Sequence, residues 1–321
     1  MDDTHSAGEL GEFLRTRRAA LTPQDAGITS YGARRVPGLR REELAQLAGV
    51  SATYYTRLEQ GQSTNASEAV IDAIARALHL TDDERSHLHA LARPAPTRRR
   101  RPAKPDHARA GTLRLLGAMD DIPAVVMGRR SEVLAWNPLG HLLLAGHLDL
   151  DAPQRPTDRP NLTRMLFLDP HTRELYRNWR AEATMAVASL RFVAAQFRDD
   201  RELTELIGEL TLNSAEFAAL WAKHPVQKCM SGVKQFHHPE VGDFDLGFEV
   251  LHLPDANGQR IMTHTAEPRS PSQGALQLLQ ATSLDDLAGH DHRRREYGIV
   301  GPQSGPRSAL PHGAAPPTPA P

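Results

Sequence analysis

A short run of polar side chains near the start of the chain has the spacing of one helix face. Thr53, Thr56, Arg57 and Gln60 occupy positions i, i+3, i+4 and i+7 of the segment ATYYTRLEQ. An arginine can donate two hydrogen bonds to the O6 and N7 atoms of guanine, and a threonine can contact a base edge or a thymine methyl group. A helix with this face therefore has the chemistry needed to read bases in the major groove of DNA.

Two short helices joined at a glycine are predicted to position this face. They lie in GLRREELAQLAGVSATYYTRLEQG, residues 38–61. Gly49 supplies the positive φ angle of a tight turn, and Ser51 is a favourable N-cap for the second helix. The apolar side chains expected to hold the pair together are Leu44, Leu47, Ala48, Val50, Tyr55 and Leu58. The pattern predicts a helical hairpin whose outer face stays polar.

Arginines at the start of the first helix extend the predicted contact to the DNA backbone. The helix dipole and the guanidinium groups of Arg40 and Arg41 would both favour phosphate there. The residues expected at the DNA are Arg40, Arg41, Ser51, Ala52, Thr53, Thr56 and Arg57. The alternative is a purely structural hairpin with solvated arginines. The A-G-V-S order of the turn and the short second helix favour DNA binding.

The hairpin belongs to a predicted all-α domain of five helices at residues 8–92. Apolar residues recur there at the helix period, and Thr81–Glu84 has the capping-box pattern that begins the last helix. Residues 93–105, RPAPTRRRRPAKP, combine prolines with basic residues and are expected to form an exposed linker. Its arginine run is either a solvated tether or a further contact with phosphates.

Strand patterns appear only after this linker. Val125–Met127 and Val133–Trp136 flank a turn, and apolar residues alternate with polar ones from Phe244 to Val250. A further strand is expected at Gln259–Thr265, and long helical patterns separate the two groups. Residues 106–283 are therefore expected to form an α+β domain with an antiparallel sheet. The proline-rich residues 301–321 are expected to be disordered.

Composition narrows the possible functions. The chain of 321 residues has a net charge of −1, a single cysteine (Cys229) and no apolar run long enough to cross a bilayer. These features favour a cytoplasmic location, with the nucleoid as the site of action. Nucleophile, phosphate-loop and dinucleotide motifs are missing, and the histidines lack metal-ligand spacing. We therefore expect no catalytic residues, no metal site and no cofactor.

Residues 9–92 resemble the Cro/C1-type (XRE) helix-turn-helix domains of phage and bacterial repressors. The matching segments are ELA at 43–45, LAGVS at 47–51 and LEQG at 58–61. The resemblance implies a recognition helix that begins at Ser51 and base contacts from Ala52, Thr53 and Arg57. It also implies a buried ion pair between Glu59 and an arginine of the first helix, Arg18 rather than Arg17. The loop at 22–38 is longer than the family pattern, and its role stays open.

Most of the chain also resembles a narrower group, the MmyB-like regulators of actinobacteria. The matching segments include VPGLRREELAQLAG at 36–49, GRR at 128–130, VLAWN at 133–137, LFLDP at 166–170, HP at 238–239 and TAEP at 265–268. The resemblance implies a PAS-like second domain that binds a small molecule, with a fatty acid as the leading possibility. It implies a transcriptional regulator whose partners are double-stranded DNA and a small apolar ligand.

The apolar side chains of the second domain provide candidate lining residues for such a ligand, although ordinary core packing is the alternative for each. The residues expected at the ligand are Arg129, Trp136, Phe167, Trp179, Trp221 and Phe248. Arg129, Arg130 or Arg191 would hold a carboxylate. Because proteins of this kind usually bind two-fold sites, we expect a homodimer. The alternatives are a second domain that serves only dimerisation or protein interaction, or an enzyme targeted to DNA.

Overall fold

The computed structural model describes residues 2–28, 36, 38–62, 66–93, 107–254 and 256–282. Most of the predicted linker at 93–105, the tail at 301–321, and residues 29–35 and 37 of the loop at 22–38 lie outside these residues. The described residues before the linker form the five predicted helices and no strand. They are α1 (Asp2–Ala20), α2 (Arg41–Ala48), α3 (Ala52–Glu59), α4 (Glu68–Ala77) and α5 (Asp82–Ala92).

Local signals set the ends of these helices. The Ser51 hydroxyl accepts a hydrogen bond from the Tyr54 N–H at 3.1 Å and begins α3. Thr81 and Glu84 form a reciprocal capping box that begins α5. Gly49 ends α2 with a φ of 66°, the left-handed conformation that a side chain with a Cβ atom disfavours. The turn between α2 and α3 therefore has the chemistry that the sequence predicts.

The core of the helical domain confirms most of the predicted inward residues but not Leu47. Leu44, Tyr55 and Leu58 are completely buried, and Val50 packs against the same core. Leu47 is 42% exposed, so the prediction that it faces inward is wrong. Helix α2 packs through Leu44, Ala45 and Ala48, and this face leaves Leu47 at its edge.

The described residues after the linker form five strands and eight α-helices, seven of which are labelled α6 to α12. The helices are α6 (Ala110–Gly117), α7 (Pro138–Ala145), α8 (Leu162–Leu168), α9 (Pro170–Glu174), α10 (Trp179–Gln196), α11 (Arg201–Asn213) and α12 (Ala215–Ala222). The strands are β1 (Ala124–Met127), β2 (Val133–Trp136), β3 (Ser231–His238), β4 (Gly242–His252) and β5 (Arg260–Thr265). Residues 271–282 are also helical.

The strands pair into one antiparallel sheet in the order β2-β1-β5-β4-β3. The hairpins β1–β2 and β4–β5 confirm the two predicted from the sequence, and the helices α8 to α12 lie between them in the chain. One face of the sheet forms a core with α7 and the 271–282 helix, and a second core lies among α8, α10, α11 and α12. The helical and the sheet-containing parts belong to one compact unit, Met1–Gln280.

Candidate nucleic-acid interface and interior cavity

The outer face of α3 is polar and open. Thr53, Arg57 and Gln60 are exposed, and Ala52 and Thr56 are partly buried. The opposite face of the same helix is buried through Tyr55 and Leu58. Ser51 is exposed, but its hydroxyl caps α3. The helix is therefore fixed by its apolar face while its polar face is free to meet a groove.

A cluster of ionic groups around Glu59 holds α3 against α1 and α2. Arg18 donates hydrogen bonds to both carboxylate oxygens of Glu59, from its Nε to Oε2 at 2.8 Å and from its Nη2 to Oε1 at 2.9 Å. Arg41 also donates from its Nε to Oε1 at 2.9 Å. Burial alone would raise the pKa of Glu59, but the hydrogen bonds and charge of Arg18, with help from Arg41, lower it overall. Glu59 is therefore a buried carboxylate shared by two arginines.

The two arginines at the start of α2 differ in their surroundings. Arg40 is exposed, and its backbone N–H donates to the Glu43 carboxylate at 2.7 Å. The Arg41 side chain is 42% exposed because one side of its guanidinium is held by Glu59. Both can still reach solvent near the N-terminus of α2. The sequence did not indicate that Arg41 has this second, structural contact.

An interior cavity of about 110 Å³ lies between the sheet and helices α8 and α10. Its apolar wall includes Met127, Leu162, Leu166, Met185, Phe248, Val250 and Met262. Its polar wall includes Ser131, Thr163, Tyr176, Glu182, Ser189, Cys229, Lys234 and Arg260. The mixed lining suits an amphipathic molecule better than a purely apolar one.

The two cations of this lining, Lys234 and Arg260, differ in whether a carboxylate is bound to them. Lys234 forms an ion pair with Glu182, and its Nζ lies 4.6 Å from the centre of the Phe248 ring. Arg260 donates to the Ser131 hydroxyl at 3.1 Å, and no carboxylate among the described residues binds its guanidinium. Burial lowers the pKa of Arg260, and the charge of Glu132 opposes that shift. Arg260 is thus the cation in the cavity with unused hydrogen-bonding capacity.

The structure places one of the six sequence-predicted ligand residues, Phe248, at this cavity. The other aromatic residues lie elsewhere. The indole N–H of Trp136 donates to the Leu150 carbonyl at 2.7 Å, and that of Trp179 donates to the Leu166 carbonyl at 2.8 Å. Phe167 packs edge-on against Trp179 in the core of the helices. These side chains contribute to the cores rather than to the cavity wall.

The predicted carboxylate anchors also lie away from the cavity lining. Arg129 forms a buried ion pair with Asp200, and Arg130 pairs with the same residue. Arg191 donates to the Trp221 carbonyl and lies 3.8 Å from the centre of the Trp221 ring. The cations that line the cavity are instead Lys234 and Arg260, neither of which was among the sequence-predicted ligand residues.

A strand pattern could have identified the cavity cations. Arg260, Met262 and His264 alternate along β5, and all three are buried. Lys234 and Phe236 alternate in the same way along β3. A charged residue in the apolar phase of a strand is rare without a partner, because moving a charge out of water is costly. Its presence marks an interior polar site.

The open polar face of α3 and the cavity beside α10 fit a class of protein, the DNA-binding transcription regulator with a ligand-sensing domain. Comparison with known families then identifies the group. Residues 108–279 match the model of the MmyB-like transcription regulator ligand binding domain, and the chain belongs to this family. Residues 9–88 match a helix-turn-helix domain. No curated protein matches the chain. Among the described residues, no helix is long and apolar enough to cross a membrane.

Proposed function

We propose that the protein is a sequence-specific regulator of the Cro/C1 type that binds a two-fold DNA site as a homodimer and responds to an anionic, acyl-type ligand. The DNA-binding half rests on the open face of α3, where Thr53, Arg57 and Gln60 are exposed. A helix fixed by its buried face and by the Glu59 cluster presents these groups in a defined orientation. Such preorganisation is what groove recognition requires.

Each residue of the proposed interface has a separate role. Arg57 makes the bidentate contact with guanine, and Thr53 and Thr56 contact neighbouring base edges. Ala52 allows α3 to approach the bases closely, and Ser51 holds the first turn of the helix. Arg40 and Arg41 contact phosphates beside the N-terminus of α2.

The ligand-binding half rests on Arg260. A buried guanidinium without a carboxylate partner is costly, and an anionic head group would offset that cost through charge-assisted hydrogen bonds. The apolar wall beside it accepts a chain, and each buried CH₂ group would contribute about 0.8 kcal/mol. A fatty-acid-like carboxylate fits both features. We assign the head group to Arg260 and Ser131, and the chain to the wall that contains Leu166, Phe248 and Met262.

Cavity size sets a limit on the ligand. At about 110 Å³ the cavity is comparable with engineered protein cavities that bind benzene-sized molecules. A short acyl chain therefore fits without rearrangement. A long chain requires the helices that bound the cavity to move.

A binding experiment tests the ligand assignment directly. Decanoate titrated into the full-length protein should bind, and Arg260→Gln should weaken that binding at least about tenfold through loss of the charge-assisted contact. Arg155→Gln is the matched control, because Arg155 is a partly exposed arginine paired with Asp149 on the surface. Equal decanoate affinity in the two variants would reject Arg260 as the anchor.

A protein that binds neither decanoate nor any lipid recoverable by extraction would support a second domain used for dimerisation or protein interaction.

The DNA assignment needs its own experiment. Selection from a random duplex library should enrich a two-fold symmetric sequence, and the protein should bind it as a dimer in sedimentation measurements. Enrichment of no sequence over the starting library would contradict sequence-specific recognition.

A further inference from the structure

Helix α10 carries a stripe of residues that lines the cavity. Glu182, Met185, Ala186 and Ser189 all contribute to its wall. Their spacing of i, i+3, i+4 and i+7 places them on one face of the helix. The first half of α10 is therefore one side of the proposed ligand site.

The last turns of the same helix carry a second stripe at positions i, i+3 and i+4. Arg191, Ala194 and Ala195 line a small gap against Phe13 and His87 of the helix-turn-helix domain. Arg198, just beyond the end of α10, donates to the carbonyl groups of Ala90 and Arg93. At 3.6 residues per turn, this stripe is centred roughly 180° around the helix from the cavity stripe. Helix α10 thus separates the cavity from the DNA-binding domain.

The contact between the two domains is specific and partly buried. Ala195 and Val226 belong to the same core cluster as Phe13, Leu88 and Leu91. Arg17 of α1 donates to the His224 carbonyl at 2.7 Å, next to the C-terminus of α12. The Lys228 backbone N–H donates to the Asp83 carboxylate at 2.8 Å. These contacts hold α1 and α5 against the ligand-binding domain.

The docked face is not the proposed DNA face. The contacts use α1 and α5, whereas Thr53, Arg57 and Gln60 on α3 remain exposed. Docking therefore does not cover the recognition helix. Any effect of a ligand on DNA binding must act on the position or mobility of the whole helix-turn-helix domain.

We propose that α10 is the element that couples the cavity to DNA binding, so that a ligand filling the cavity pushes α10 towards α5 and loosens the docked helix-turn-helix domain. The proposal rests on the ligand site proposed above. Close-packed interiors transmit displacement because neighbouring side chains leave little free space. A ligand that overfills the cavity presses on its walls, and α10 is the wall with the DNA-binding domain directly behind it. The loosened domain presents its recognition helix less favourably to DNA.

A substitution that fills the cavity tests the coupling without any ligand. Ala186→Leu adds three carbon atoms on the cavity face of α10, and Ala181→Leu makes the same change at an exposed position of that helix. Hydrogen–deuterium exchange of residues 82–92 in the full-length protein measures the docking of α5. We expect Ala186→Leu to speed this exchange by roughly 5–150-fold, the usual range of coupling between sites, and Ala181→Leu to leave it unchanged.

One result overturns the proposal: Ala186→Leu blocks decanoate binding, yet residues 82–92 exchange at the same rate in Ala186→Leu and Ala181→Leu. The cavity would then be filled without any effect on α5. If Ala186→Leu does not fold, Ala186→Val makes the same comparison with a smaller side chain against Ala181→Val.

The reciprocal experiment starts from the turn that follows α10. Arg198→Ala removes donors to the Ala90 and Arg93 carbonyls, and Arg201→Ala removes an exposed arginine nearby as a control. Coupling between two equilibria is reciprocal: if decanoate weakens the docking of the helix-turn-helix domain, weaker docking must raise the affinity for decanoate by the same factor. Arg198→Ala should therefore bind decanoate more tightly than the wild type. Unchanged affinity, with α5 exchange accelerated in Arg198→Ala, contradicts the coupling. If decanoate does not bind the wild-type protein, the ligand assignment fails, and equal exchange of residues 82–92 in Ala186→Leu and Ala181→Leu then contradicts the role of α10 by itself.

Discussion

The Nε atom of Arg41 lies 2.9 Å from the Oε1 atom of Glu59. This contact ties the start of α2 to the end of the recognition helix α3. An arginine placed to meet phosphate therefore also helps to orient the helix that meets bases. Arg18 completes the cluster from α1 and binds both carboxylate oxygens. Backbone contact and base recognition are linked through one buried carboxylate.

Replacement of Arg57 should separate specific from non-specific binding. Arg57→Ala removes the proposed bidentate contact, so affinity for the selected duplex should fall by about 1–3 kcal/mol and selectivity at one base position should relax. Arg57 is exposed, so thermal stability should not change. Competition assays with the selected duplex and its single-base variants measure the effect. Arg114→Ala, an exposed arginine of α6, is the control. Equal losses on selected and random DNA would refute the base-reading role.

Arg40 and Arg41 should give different results despite being neighbours. Arg40→Ala should weaken binding to every sequence alike and reduce the salt slope by about one, with no change in stability. Arg41→Ala should show the same loss of salt dependence and also destabilise the protein by about 0.2–1 kcal/mol, because its partly exposed contact with Glu59 is lost. Salt titrations of DNA binding and chemical denaturation measure the two effects. Identical unfolding midpoints for the two variants would contradict a structural role for the Arg41–Glu59 contact.

The DNA-binding half was predictable from sequence because its signals are local. Ser51 and Gly49 set helix ends through contacts within a few residues, and these contacts are present as expected. The prediction for Leu47 was wrong because sequence periodicity indicates which side of a helix is buried but not how wide the buried face is. The buried face of α2 is centred on Leu44 and Ala48, and Leu47 lies at its edge. The contact of Arg41 with Glu59 joins residues 18 positions apart, which no local pattern indicates.

The cavity was harder to predict because its lining depends on long-range pairing. Trp136 and Trp179 are large aromatic residues of the kind that often line ligand sites. In the structure their indole N–H groups instead donate to backbone carbonyls within the fold. Arg129 had the charge to hold an anion, but Asp200, 71 residues later, already neutralises it. Arg260 lacks such a partner among the described residues. Only the fold shows which arginine lines the cavity without a carboxylate bound to it.

Neutralising Glu59 should destabilise the helical domain strongly. Glu59→Gln leaves the Arg18 charge largely buried without its partner, and breaking such a pair typically costs about 3–5 kcal/mol. The pKa of Glu59 is lowered in the folded protein, so its contribution is present above the carboxyl group's ordinary pKa and is lost as the pH falls through the lowered value. Denaturant unfolding at neutral and at acidic pH should show a smaller pH dependence in Glu59→Gln than in the wild type.

Glu42→Gln is the control for this comparison, because Glu42 is an exposed carboxylate on α2. A Glu59→Gln variant as stable as Glu42→Gln at neutral pH would show that the cluster does not support the fold.

Buried histidines should make the protein sensitive to mild acid. Burial lowers the pKa of His264 to about 3, the charge of Lys234 adds to the shift, and the backbone of Pro123 opposes it. An unfolded histidine takes up a proton near pH 6.5, whereas the folded protein resists until the lowered pKa is reached. Stability should therefore fall as the pH drops from 6.5 towards 3, by up to about 1.4 kcal/mol per pH unit for this residue. His264→Leu should reduce that slope, measured by urea unfolding between pH 7 and pH 4, whereas His107→Leu, at an exposed position, should leave it unchanged. A slope in His264→Leu equal to that of the wild type would show that the buried ring is not the source of the acid sensitivity.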